Sequence, residues 1–114
     1  GTKPVLGLPG HPVSALVIFA RFGAPLIRLL AGDAAAFAEP RVTRATLAEN
    51  VASEIGREDW VRVTLEPGAD GLLARPLRGK SAAIMSLVKA DGMFCVPLTD
   101  EGIEAGTAVE VVLF

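Results

Sequence analysis

A nine-residue stretch near the start of the chain, Gly7 to Ala15, constrains the fold more than any other feature. It reads Gly-Leu-Pro-Gly-His-Pro-Val-Ser-Ala. Pro9 and Pro12 each fix φ near about −65°, and the two glycines permit backbone angles that are closed to other residues. The stretch overlaps the end of a short apolar run, Val5 to Leu8, which we predict to be a β-strand. The pattern therefore indicates a rigid turn between a strand and a helix.

The helix that follows this turn is predicted from Pro12 to Leu30. Pro12 suits the first helical position, where its missing N–H costs nothing. Arg21 and Arg28 are the only charged residues in the segment, so the helix is apolar on almost every side, which is typical of a buried helix. We expect Pro25 to kink it. We do not expect a membrane span, because the two arginines interrupt the apolar run.

The rest of the chain is typical of a compact β-rich domain. Alternation of apolar and polar residues predicts strands at residues 41–48, 60–65, 72–77, 93–98 and 108–114, with a turn at 68–71 and a helix at 81–90. An alanine-rich stretch at 33–40 separates the two parts, so we place a boundary near residue 40. The predicted fold class is α+β: mainly β, with an N-terminal helix and about five short strands.

Composition excludes several classes of function. The chain has 114 residues and a formal net charge of −2, without a long basic block, which argues against a nucleic-acid partner. A lone cysteine, Cys95, excludes an internal disulfide and indicates a cytoplasmic setting, and we expect its side chain to be buried. With one histidine and one cysteine the chain cannot form a zinc site. Because it begins at Gly1 without a methionine, we expect it to be part of a longer polypeptide.

The first candidate for chemistry is the helix start. In the predicted helix the N–H groups of Val13, Ser14 and Ala15 have no helical partner, and the helix dipole places partial positive charge there. Such a helix start is a ready site for an anion.

The second candidate is a basic loop at residues 77–82 that leads into the predicted helix at 81–90. Lys80, the Ser81 hydroxyl and the first helical N–H groups would suit an oxyanion such as phosphate or molybdate. A solvated loop with Ser81 as an ordinary N-cap explains the same residues.

Trp60 lies in a predicted strand, and we expect it in the core rather than at a ligand.

Four motifs, in the right order along the chain, resemble those of the molybdopterin molybdenumtransferases, the MoeA and gephyrin E-domain family. Residues 7–15 resemble the GLPGNPVSA signature, with His11 where the family usually has asparagine. Residues 56–62 are similar to its GR-x-x-(F/W)-x-R pattern. Residues 80–92 are similar to its glycine-serine-glycine segment, with Lys80 and Ala82 in place of both glycines. Residues 105–113 are similar to its closing AG-x-x-VEV-x-L motif.

This resemblance implies an activity and a domain arrangement. Family members insert molybdate into the dithiolene of adenylylated molybdopterin and release AMP; they are homodimers and use Mg²⁺. Residues 1–40 would be the C-terminal strand and helix of the molybdopterin-binding, MoaB/MogA-like domain. Residues 41–114 would be the MoeA C-terminal domain (domain IV), a pseudobarrel. The catalytic residues would lie upstream of Gly1, so we expect the chain to be inactive alone.

The resemblance also implies where substrate is bound. We carry over five positions of the matching motifs as substrate-binding: Pro9, Gly10, Pro12, Ser14 and Ser81. Lys80, which stands where the family has glycine, is added as a sixth because its positive charge favours an oxyanion. The expected partners are adenylylated molybdopterin, molybdate and a second copy of the protein, with no nucleic acid and no membrane. The alternative is a non-catalytic scaffold module, since one branch of the same family anchors membrane receptors through its C-terminal region.

Overall fold

A computed structural model describes residues 1–77 and 88–114, and the chain divides into two compact units, Gly1–Glu39 and Pro40–Phe114. Most of the predicted helix at residues 81–90 falls outside the described residues.

The first unit is built on one continuous helical segment. It consists of α1 (Pro12–Ile18), a π-helical turn (Phe19–Gly23) and α2 (Ala24–Leu30). This confirms the predicted helix and its start at Pro12. A π-helical turn lies immediately before Pro25, in which the Ala24 N–H donates to the carbonyl of Phe19, five residues back. The kink expected from Pro25 stays a prediction. Proline has no N–H to donate to the carbonyl four residues earlier, and a π-turn relieves that conflict.

The predicted strand from Val5 to Leu8 is wrong. The segment is exposed irregular chain, and within the described residues it pairs with no strand. An isolated extended segment has no ladder to stabilise it. Leu6 instead lies beside the buried Gly23, which is also covered by the ring of Phe19. Local sequence pattern predicted the apolar character of this run but not the absence of a partner.

The helix is also more exposed than its composition predicted. Gly23 is its only buried residue. Its large exposed apolar side chains are Phe19, Phe22, Ile27, Leu29 and Leu30. By length and composition the segment Pro12–Leu30 is apolar enough to cross a membrane, contrary to the expectation from its arginines, although core helices of soluble proteins pass the same test. An exposed apolar surface of this kind is typical of an interaction site.

The second unit is a closed barrel with a small additional ribbon. Its strands are β1 (Val42–Leu47), β2 (Val51–Ala52), β3 (Asp59–Gly68), β4 (Gly71–Pro76), β5 (Gly92–Val96), β6 (Gly102–Ile103) and β7 (Ala108–Leu113). The barrel order is β1-β4-β3-β5-β7, and β2 pairs with β6. The predicted α+β class, with an N-terminal helix and five main strands, is confirmed. The two short ribbon strands were not predicted.

Strand β1 closes the barrel. It pairs antiparallel with β7, with Ala45 opposite Val109, and parallel with β4, with Thr46 opposite Leu73. Arg75 of β4 forms exposed ion pairs on both sides: its guanidinium lies 2.7 Å from a carboxylate oxygen of Glu66 on β3 and 3.4 Å from one of Glu49, which follows β1. The hydrogen bonds that the Arg75 guanidinium donates to the Glu66 carboxylate are the main cause that raises the pKa of Arg75.

The core of the second unit consists of inward-facing residues of the five barrel strands together with one residue of the ribbon strand β2. Its buried members are Ala45, Leu47, Val51, Val63, Ala74, Phe94, Val96, Val109 and Val111. All of them belong to the second unit, and Val63, Val96 and Val111 are fully buried. A unit with its own closed core has the properties of a domain that folds independently.

The Asp91-Gly92 pair fixes the start of β5 between its two neighbours. The Asp91 N–H donates to the Val63 carbonyl at 2.9 Å, and its carboxylate accepts the Leu65 N–H at 2.7 Å. Gly92 is required for a different reason. A Cβ atom there would collide with the carbonyl oxygen of Val112 and lie 2.7 Å from Cγ1 of Val111. The pair therefore has a structural role in the motif at residues 80–92.

We expect Gly92→Ala to destabilise the barrel by about 1–3 kcal/mol, because the added methyl group forces β5 and β7 apart. Chemical denaturation of residues 40–114, followed by circular dichroism, measures this change. Ala108→Ser in the same residues 40–114 is the control, since Ala108 is an exposed residue of β7 where one added atom can face solvent. Equal stability of the Gly92→Ala variant and the wild type would contradict the packing described here.

The exposed helix predicts different solution behaviour for two lengths of chain. Residues 1–114 should self-associate, because water disfavours the apolar surface of the first unit, whereas residues 40–114 should remain monomeric. Sedimentation velocity over a range of concentrations distinguishes the two. A monomeric 1–114 chain whose helix amides are strongly protected from hydrogen exchange would refute this prediction.

Candidate functional site

The turn before α1 has the geometry of a helix start but offers fewer N–H groups than predicted. His11 is the N-cap residue, with φ −76° and ψ 125°, and its side chain makes no capping hydrogen bond. The Ala15 N–H donates to the His11 carbonyl at 2.9 Å, so the prediction that it lacks a helical partner is wrong. The N-cap carbonyl accepts the first intrahelical bond. Val13 and Ser14 therefore remain as the candidate donors.

The glycines of this turn are not required by backbone conformation. Neither Gly7 nor Gly10 has a positive φ, and a Cβ on either would meet nothing within 4 Å. The predicted use of angles closed to other residues is therefore not found. A glycine that neither conformation nor packing demands leaves the backbone open to close approach by another molecule. Pro9, Gly10, Pro12 and Ser14, four of the predicted substrate-binding residues, are all exposed here.

The other two predicted substrate-binding residues, Lys80 and Ser81, lie outside the described residues. Their role stays a prediction.

A groove on the barrel is a site feature that the sequence analysis did not identify. It has a volume of about 190 Å³. Its lining residues are Val51, Ala52, Asp59, Trp60, Val61, Arg62 and Leu77. Trp60 and Arg62 are two residues apart on β3, so they face the same side of the strand. Trp60 was expected in the core; it is instead half-buried and outside the core cluster.

Arg62 gives this groove its positive charge. Partial burial lowers the pKa of Arg62 from its ordinary value, because desolvation disfavours the charged form. The guanidinium nevertheless stays protonated at neutral pH, since an arginine titrates far above it. The Leu77 N–H donates to the Arg62 carbonyl at 2.9 Å, which holds the end of β4 against β3. A partly desolvated cation beside an indole ring can bind an anionic or planar group.

An acidic group limits which anions the groove can accept. Asp59 also lines it, and its carboxylate accepts a hydrogen bond from the Ser53 hydroxyl at 3.3 Å. The Ser53 N–H in turn donates to the carbonyl of Glu101, which ties the groove to the segment before β6. The motif at residues 56–62 was the sequence signal that pointed here. That motif contains both Trp60 and Arg62.

Cys95 lies opposite Trp60 in the register of β5 and β3. It is half-buried, and its Sγ lies 3.6 Å from the Val96 carbonyl oxygen. The expectation of a buried thiol is corrected: Phe94 and Val96 take the inward positions of β5, so Cys95 between them points away from the core.

Within residues 1–77 and 88–114 no three His, Cys, Asp or Glu side chains are grouped so that they could hold a metal ion. The residues that the structure describes therefore provide no cluster of three such ligands for Mg²⁺.

Comparison with known proteins identifies the barrel. Residues 44–114 match the family model described as the MoeA C-terminal region (domain IV). A protein from Methanocaldococcus jannaschii named for molybdopterin biosynthesis is 37% identical over 97% of this chain and 24% of its own length. Molybdopterin molybdenumtransferase 1 of Mycobacterium tuberculosis is 32% identical over 95% of this chain and 26% of its own length.

Solved structures agree with the sequence relatives. The crystal structure of a molybdopterin biosynthesis MoeA protein from Pyrococcus horikoshii superposes with a TM-score of 0.78 at 36% identity, over 97% of this chain and 26% of that one. A molybdenum cofactor biosynthesis protein from Pyrococcus furiosus gives 0.70 at 32% identity, over 92% of this chain and 36% of that one. The chain thus spans about a quarter of the length of the curated relatives it matches. With more than half of its residues matched by the family model, the chain belongs to the MoeA family, and its barrel is the C-terminal region of that family.

Proposed function

We propose that the protein to which this chain contributes is a molybdopterin molybdenumtransferase. It inserts molybdate into adenylylated molybdopterin and releases AMP. The observation that carries the proposal is membership of the MoeA family, since relatives over nearly the whole chain bear that enzyme name. The same proposal includes a cytoplasmic homodimer that uses Mg²⁺ held by residues other than those described here.

The proposed role of this chain is to bind anionic groups of the substrates. Both substrates carry oxyanions: molybdate itself, and the phosphates of adenylylated molybdopterin. Arg62 supplies a partly desolvated cation, which attracts such groups more strongly than a fully solvated one does. The Val13 and Ser14 amides and the Ser14 hydroxyl supply neutral donors. The bare backbone at Gly10 lets a ligand approach them. Lys80 and Ser81 complete the proposed substrate-binding set.

We propose further that the chain does not catalyse the reaction alone. Among the described residues the one histidine, His11, is exposed, and its side chain makes no capping hydrogen bond. In this proposal the substrate-binding set of the preceding paragraph binds and orients substrate. Proton transfer and metal binding belong to other parts of the enzyme. The exposed apolar surface of Pro12–Leu30 supports the proposal that this chain works together with other parts of the enzyme. It fits a helix that packs in the molybdopterin-binding domain, to which we assign residues 1–40.

Two serines test the substrate-binding assignment in the full-length enzyme. Ser81→Ala and Ser14→Ala should each raise the KM for molybdate, by about tenfold if a single hydrogen bond to the anion worth about 1.4 kcal/mol is lost. Steady-state AMP release at varied molybdate measures this. Thr43→Ala, which removes a hydroxyl from β1 far in sequence from both serines, is the control. Unchanged kinetics in both serine variants would contradict the assignment of Ser14 and Ser81 as substrate-binding residues.

The groove can be tested separately by fluorescence, because Trp60 is the only tryptophan in the chain. Arg62→Gln should lower the iodide quenching constant of Trp60 by about twofold at low salt, because a cation within roughly 8 Å no longer concentrates the anion. Quenching by neutral acrylamide should stay the same. Arg44→Gln, an exposed arginine on β1, is the charge-matched control. Equal iodide quenching in both variants would show that Arg62 does not set the potential of the groove.

A further inference from the structure

We draw no further inference here: the strongest candidate, the groove on the barrel lined by Asp59, Trp60 and Arg62, belongs to the site already described.

Discussion

The pairing of β1 with two neighbours at once is the constraint on which the second unit depends. Without β1 the sheet β4-β3-β5-β7 would be open at both edges, and the inward faces of Val63, Val96 and Val111 would meet water. Closure removes both edges, which is the usual way in which a small β domain protects unpaired backbone groups. It also decides the surface: once Val63 faces the core, its neighbour Arg62 must face outward, and so must Trp60.

Packing in the barrel requires glycine at position 92, whereas it does not require the glycines of the opening turn. At Gly92 the chain passes so close to β7 that no side chain fits, and Asp91 adds a side-chain acceptor to the ladder of β3. By contrast, a side chain would fit at either glycine of the opening turn, Gly7 or Gly10. Two glycine-containing motifs of the same family thus serve different ends: the one at residues 80–92 includes a packing requirement, and the one at 7–15 leaves an accessible backbone.

Much of the fold could be predicted because strands and helices produce a periodic spacing of apolar residues in the sequence. The alternation around Trp60 predicted β3, and the glycines at 68 and 71 predicted its hairpin with β4. Features that depend on pairing between distant segments produce no local sequence pattern. These include the parallel pairing of β1 with β4, the β2–β6 ribbon, and the lack of any partner for Val5 to Leu8. Trp60 and Cys95 were misplaced for the same reason, since alternation identifies two faces but does not say which one is inside. The family motifs placed four candidate residues in the opening turn, but Arg62 emerged only when β3 brought it beside Trp60.

The proposed substrate-binding role depends most on Arg62, because it is the partly buried cation that an oxyanion in the groove would contact. The measurement is the KM for molybdate of the full-length enzyme carrying Arg62→Gln, compared with Arg44→Gln and the wild type. We expect KM to rise about tenfold in the Arg62 variant, because one charge-assisted contact worth about 1.4 kcal/mol or more is lost. We expect no change for Arg44→Gln. Wild-type KM and kcat in a correctly folded Arg62→Gln enzyme would contradict the proposed role of Arg62.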